Sequence, residues 1–203
     1  MTDPGPTLRE PSVSDGTVPV APPSWSQRAR RIRVPLGFVF AAFYVWRAQP
    51  NWPSFAIGMV IAVLGLGIRA LASGHVQKNR QLTMTGPYAY VRNPLYLGSI
   101  VLAIGFAVAA RDVWIAVVLV VFFFAIYLPV IRSEQNYLRA HFPGFDDYTR
   151  RVPSLLPRTL WFRGASRGFS RELYFRHREF KALLGAAAML AVLVVKIWFA
   201  KSS

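Results

Sequence analysis

The chain contains no cysteine. That excludes a disulfide framework, thiolate metal sites and thiol catalysis, and it leaves the compartment unreadable from redox usage. Acidic residues are also scarce: nine Asp and Glu stand against 24 Lys and Arg, a formal net charge of +15. The His residues number three, at positions 75, 141 and 177, and such a scatter without Cys does not suggest zinc. Residues 1–27 do not read as a secretory leader, having neither a basic start nor an apolar core. They are rich in Pro, Ser, Thr and Gly without periodicity, and are expected to form a disordered tail ahead of a single domain over 28–203.

What the chain has in abundance is apolar sequence: 54% of residues are hydrophobic and the mean hydropathy is +0.33. Apolar runs at 34–46, 54–72, 95–110, 113–131 and 182–200 approach the roughly 20 residues needed to cross a hydrocarbon core. They predict an all-α, polytopic membrane helical bundle of about five transmembrane helices. The short break at Arg111-Asp112 makes the third and fourth runs a helical hairpin. Gly58, Ala62, Gly65, Gly67 and Ala70 in the second run suit close helix approach. The same stretch contains a GxGxxA match, but that dinucleotide pattern requires a βαβ setting, which an apolar helix does not provide. Lys196, inside the last run, is expected to snorkel.

Basic residues lie asymmetrically. Four fall in 28–33, four in 69–92 and eleven in 132–181, whereas the turns on the other side carry only Arg47 and Arg111. The asymmetry predicts that the N-terminus, the 73–94 connection and the segment after the fourth span are all cytoplasmic. In a soluble protein such an excess would point to nucleic acid. Beside apolar spans it points to anionic lipid, and no nucleic-acid partner is expected. The basic, aromatic segment 161–181 is expected to be interfacial and partly helical. Nothing in the sequence sets an oligomeric state.

Two polar stretches share the predicted cytoplasmic face. The first, 86–98, reads GPYAYVRNPLYLG, too polar and Pro-rich for a span and too aromatic for a solvated loop. Its Pro94 disfavours helix at Asn93, so the third span is entered through a fixed bend. The second, 132–157, opens with Glu134 just beyond an apolar run, where a carboxylate is costly unless paired or functional. Arg132 and Arg139 are candidate partners, and Glu134, Tyr137 and Leu138 share a helix face. An interfacial Glu–Arg pair is the competing account of Glu134, and an interfacial belt that of Tyr88 and Tyr90.

The first stretch resembles the GPYxYxRHPxYxG motif of the isoprenylcysteine carboxyl methyltransferase and phospholipid methyltransferase superfamily. That family's second motif, a Glu-Glu pair followed by spaced Leu, Phe, Tyr and Val-Pro positions, is matched by Glu134, Leu138, Phe142, Tyr148, Val152, Pro153 and Pro157. The resemblance implies an integral membrane methyltransferase that binds S-adenosylmethionine between the two motifs and takes a lipophilic, membrane-embedded substrate. It implies cofactor contacts from Gly86, Pro87, Tyr88, Tyr90, Arg92, Asn93, Pro94, Tyr96, Gly98, Glu134 and Tyr148, with Glu134, Arg92 and Asn93 closest to the chemistry. Arg92 would pair with the cofactor carboxylate. The tyrosines would stack, hydrogen-bond or face the sulfonium. Glu134 would bind ribose hydroxyls or the ammonium, and Gly86 and Gly98 would permit close approach.

Two positions depart from the family pattern. Asn93 stands where most members have His, and Asn cannot act as a base near neutral pH. Gln135 stands where a second Glu is usual, although a count back from Tyr148 places Glu134 itself in that register. An amine must lose a proton before attack and a carboxylate need not, so carboxyl or other O-methylation is preferred. The alternatives are phospholipid or amine N-methylation, an NADPH-dependent membrane reductase, and a non-catalytic member of the scaffold.

Overall fold

The computed structural model describes residues 25–76, 82–157 and 168–202. Helix α1 (Trp25–Arg47) carries Pro35 within it and includes residues 25–27 of the expected tail. Residues 1–24 lie outside the described ones. Helix α2 (Trp52–Ser73) starts at a capping box: Ser54 N donates to Asn51 Oδ1 at 2.9 Å, and Asn51 N donates to Ser54 Oγ at 3.1 Å. These bonds satisfy amides that an uncapped first turn would leave open. A short 3₁₀ turn (Gly86–Ala89) precedes α3 (Pro94–Ala110). Helices α4 (Val113–Phe122) and α5 (Leu128–His141) run on through a π-turn at Phe123–Tyr127 as one 29-residue helix. Then come α6 (Phe145–Arg151), α7 (Arg171–Arg176) and α8 (Phe180–Ser202). Among the described residues there is no strand.

The fold is an all-α membrane helical bundle. Of the five apolar runs expected to span, three lie in helices long and apolar enough to cross: Trp52–Ser73, Val113–His141 and Phe180–Lys201. Helix α3, with 17 residues, is shorter. At about 1.5 Å per residue it falls just short of a hydrocarbon core of about 30 Å. The first run is the apolar half of α1, whose other half is cationic.

Small residues bring α2 and α3 into backbone contact. A Cβ built on Gly58 would lie 2.4 Å from Gly105 O, and one on Gly65 would lie 2.5 Å from Leu102 N. Gly98 and Gly105 return the contact against Gly65 O and Ala62 N. The glycine pattern in 65–70 therefore serves helix packing. Gly67 meets nothing within 4 Å and takes no part.

The end of the bundle away from the polar motifs is clamped by polar groups. Arg47 Nη2 donates to Asp112 Oδ2 at 2.6 Å, and Asp112 Oδ1 accepts from Trp114 N and Ile115 N at the start of α4. Burial alone would raise the Asp112 pKa; the bond from Arg47 and the two amide bonds outweigh it and hold the carboxyl below its usual range. Tyr44 Oη donates to Phe106 O at 2.8 Å. Lys196, partly buried, reaches the same end of the bundle. Its Nζ donates to Val45 O at 2.6 Å and Ala48 O at 2.7 Å, carbonyls at the α1 C-terminus that lack helical partners. Around this end Trp46, Trp52, Trp114 and Trp198 are each more than half exposed. Such a girdle suits a membrane–water interface.

Candidate functional site

At the opposite end the two polar motifs fold onto each other. The C-terminus of α2, the 3₁₀ turn, the start of α3, the end of α5 and the helix α6 meet there. Proline fixes the entry. Thr85 and Asn93 are extended or irregular, Pro87 is the second residue of the 3₁₀ turn, and Pro94 begins α3. Asn93, at φ −125° and ψ 59°, is thereby kept out of the helix.

The link between the motifs is a set of long-range hydrogen bonds. Tyr148 Oη donates to Tyr88 O at 2.6 Å in a buried setting. Arg92 N donates to Pro153 O at 2.9 Å, and Asn93 N to Ser154 O at 3.2 Å. Phe145, Tyr148 and Val152 are buried together, with Leu82 and Leu138 against them, so α6 seats on α5 through Leu138. Arg139 on the same helix donates to Asp146 Oδ1 at 2.9 Å, and its guanidinium lies 5.9 Å from the Phe145 ring centroid. Arg139, one of the two candidate partners of Glu134, pairs with Asp146.

Each expected site residue has a definite place. Tyr88 is buried, and burial raises its phenol pKa well above the usual value; the Tyr148 phenol and the carboxylates of Glu134 and Glu179 push it the same way. Glu134, partly buried on α5, is the chain neighbour of Gln135, which meets Asn93 of the first motif at Ser154 Oγ. Tyr148 is also raised by burial, with Arg92 opposing. Its hydroxyl is spent on Tyr88 O, so it bridges the motifs rather than offering a free contact. Tyr90 and Tyr96 are partly buried, and the Tyr96 ring lies edge-on to Tyr127 at 5.8 Å, on the side of the π-turn. Pro87 O accepts from the amides of Tyr90 and Val91, which tightens the turn.

The two glycines lie against neighbouring protein groups. Gly86 adopts φ +58°, and a Cβ there would lie 2.4 Å from the His75 ring. Gly98 faces α2, where a Cβ would lie 2.7 Å from Arg69 Cγ and 2.8 Å from Gly65 O. Both allow close approach of neighbouring protein groups. His75 is held by Nδ1 bonding to Leu71 O at 2.7 Å, and His177 Nδ1 reaches Ser73 O at 3.1 Å.

Arg92 carries the sharpest chemical signal. Its Nε is buried and has no hydrogen-bond partner among the described residues, a state shared with Arg47 Nε, whose guanidinium is however paired with Asp112. Burial lowers the guanidinium pKa, Tyr148 opposes that, and Arg139 adds to it. A buried guanidinium N–H without an acceptor is costly, and a carboxylate or phosphate oxygen removes the cost. The residues present therefore fit a ligand with a carboxylate, as S-adenosylmethionine has. Among the described residues no three His, Asp or Glu gather as a metal site would require.

Sequence reasoning passed over three contributors. Ser154 accepts from Asn93 Nδ2 and from Gln135 Nε2. Arg69 forms a bidentate pair with Glu179 (Nε–Oε2 3.1 Å, Nη2–Oε1 3.0 Å) and also donates to Ser99 Oγ. This pair ties α2 to the turn before α8, which Ser170 N reinforces by donating to Gly74 O at 3.0 Å. A carboxylate among the many cations of 132–181 was the available signal for Glu179. The basic segment expected to be interfacial is helical at α7, while residues 158–167 lie outside the described ones.

The polar end of this membrane helical bundle joins a Pro-Tyr-Arg loop to the 148–154 segment that follows the Glu134-bearing helix, and part of the chain matches a known family. Residues 54–144 match the family model described as phospholipid methyltransferase. That family is part of the integral membrane methyltransferase superfamily, whose members generally use S-adenosylmethionine. It is similar to the nickel-cobalt-cadmium resistance protein NccN of Alcaligenes xylosoxydans xylosoxydans, 35% identical over 143 residues, covering 66% of each chain. It is also similar to the cobalt-zinc-cadmium resistance protein CzcN of Cupriavidus metallidurans, 30% identical over 143 residues, covering 66% of this chain and 65% of that one. The match thus spans just under two thirds of the length of these curated relatives. No solved structure matches the chain significantly.

Proposed function

We propose that the chain is an S-adenosylmethionine-dependent methyltransferase acting on a lipophilic acceptor at the cytoplasmic membrane face. The observation that carries the proposal is the partnerless, buried Nε of Arg92 within a loop that Tyr148, Pro153 and Ser154 hold against the second motif. When bound, S-adenosylmethionine supplies an electrophilic methyl on its sulfonium for in-line displacement. Arg92 binds the amino-acid carboxylate. Glu134 binds the ammonium or the ribose hydroxyls. The buried Tyr88 and the apolar wall around α3 and α5 exclude water from the reacting atoms.

Oxygen is the preferred acceptor atom. Asn93 Nδ2 donates to both oxygens of Ser154, and an amide cannot accept a proton from an amine near neutral pH. A carboxylate acceptor needs no such base, and the cationic surroundings favour it. The family description favours a second acceptor, a phospholipid amine. The names of the two relatives suggest a setting of metal resistance. Methyl esterification would suit that setting, since it neutralises a carboxylate that would otherwise attract divalent cations.

The test is binding. Full-length protein in detergent is titrated with S-adenosylmethionine, its demethylated product and NADPH. Saturable binding of the first two, lost in Glu134→Ala, is the expected result. Binding of NADPH alone would establish a reductase, and binding of none a non-catalytic scaffold. Labelled methyl donor supplied to cells with and without the gene, followed by lipid extraction, identifies the acceptor as ester or amine.

A further inference from the structure

Asn93 and Gln135 are the two places where the chain departs from the motifs it resembles, and the structure brings them to the same atom. Ser154 Oγ accepts from Asn93 Nδ2 at 3.1 Å and from Gln135 Nε2 at 2.8 Å. The Ser154 carbonyl accepts from Asn93 Nδ2 at 3.0 Å and from Asn93 N at 3.2 Å. One serine thus gathers donors from the loop before α3 and from α5. The chain neighbour of Asn93 is Arg92, and that of Gln135 is Glu134.

We propose that Asn93, Gln135 and Ser154 act as one positioning unit, which holds Arg92 and Glu134 at a fixed separation for the adenosylmethionine-class ligand. The proposal rests on the methyltransferase reading of the site. Its physical basis is that Arg92 sits on an irregular connection between a 3₁₀ turn and α3, where a side chain is not oriented by a regular element. Glu134 sits on a helix that belongs to a different hairpin arm. Two charged groups on separate elements bind one ligand well only if their spacing is set before binding. The Arg92 amide bond to Pro153 O holds the loop from one side, and the serine holds it from the other. An ionisable pair at these positions would join the elements by charge; here three neutral side chains join them. None of the three touches the reacting atoms in this account.

The experiment uses the full chain in detergent and S-adenosylhomocysteine as the probe, by calorimetry. Ser154→Ala is expected to weaken binding about tenfold, a loss of the size of one hydrogen-bonded contact. Ser154→Thr keeps an acceptor oxygen and is expected to restore binding to within about threefold, a fraction of that same contact energy. Gln135→Ala should weaken binding, and the double variant Gln135→Ala/Ser154→Ala should be no weaker than Ser154→Ala alone, because the Gln135 amide acts through that hydroxyl; Asn93→Ala, which also loses the bond to the Ser154 carbonyl, should cost at least as much as Gln135→Ala. Losses that multiply in the double variant, or Ser154→Ala binding like the parent, would overturn the proposal. A parent protein that binds no S-adenosylhomocysteine would overturn the methyltransferase reading itself. Amide hydrogen exchange separates that failure from failure of the link. Gln135→Ala should speed exchange at Arg92 and Asn93, and unchanged exchange there means that no link exists.

Discussion

Tyr148 has one hydroxyl proton, and it goes to the carbonyl of Tyr88 at 2.6 Å. The bond crosses from α6 to the 3₁₀ turn and lies out of contact with water. Tyr148→Phe removes the donor and leaves a buried carbonyl, so a loss of about 1–3 kcal/mol is expected. Burial holds the phenol pKa far above neutrality, and the bond therefore persists unchanged across the working range. The drop in thermal midpoint should accordingly be the same at pH 6 as at pH 9. A drop present at only one of these would mean that the phenol titrates. Residue types at this scale were legible in the sequence: Tyr88, Arg92, Glu134 and Tyr148 do collect at one end of the bundle. Their bonding was not, because local pattern says nothing of partners some sixty residues away. Ser154 reads as an ordinary serine in a Pro-rich run until Asn93 and Gln135 are seen to converge on it.

Among the elements, α2 and α3 are the pair whose contact has the least room to adjust. Gly65→Leu would place a Cβ 2.5 Å from the Leu102 amide nitrogen, and backbone cannot step aside as a side chain would. Overpacking of this kind costs about 1–3 kcal/mol or more. Gly67→Leu, two positions on, meets nothing within 4 Å and should leave the midpoint unchanged. Comparing these variants by thermal unfolding in detergent checks the packing assignment directly. The helices themselves are legible from apolar run length, and the α3–α4 hairpin from Arg111-Asp112. Their reach was less so. Helix α1 continues through Pro35 back to Trp25, and α8 begins two residues before its apolar run, because helix formation does not stop where hydropathy does. The bonds of Lys196 were not legible for a related reason: its partners are backbone carbonyls, and no residue type announces those.

For the whole molecule, the charge asymmetry and the Trp girdle assign opposite ends of the bundle to opposite sides of a bilayer. The lack of cysteine makes that assignment simple to test, since any thiol introduced is the sole thiol present. Val113, 69% exposed at the girdle end, and Leu156, 74% exposed beside Ser154, are suitable positions. Val113→Cys should react with an impermeant maleimide on intact cells, and Leu156→Cys only after permeabilisation. The reverse pattern would place the site outside. The π-turn at Phe123–Tyr127 gives the long hairpin arm a further property, a tolerance in length. The Leu128 amide there bonds back to Phe123 O, so the turn holds one residue more than an α-turn. Deleting Phe124, which is exposed, should let the turn close to α and leave Glu134 pointing where it now points. Deleting Ser133 should instead put either Glu134 or the buried pair Val130 and Ile131 about 100° out of phase. The arm can be shortened by one residue at the π-turn, with S-adenosylhomocysteine binding as the gauge, and not beside the carboxylate it carries.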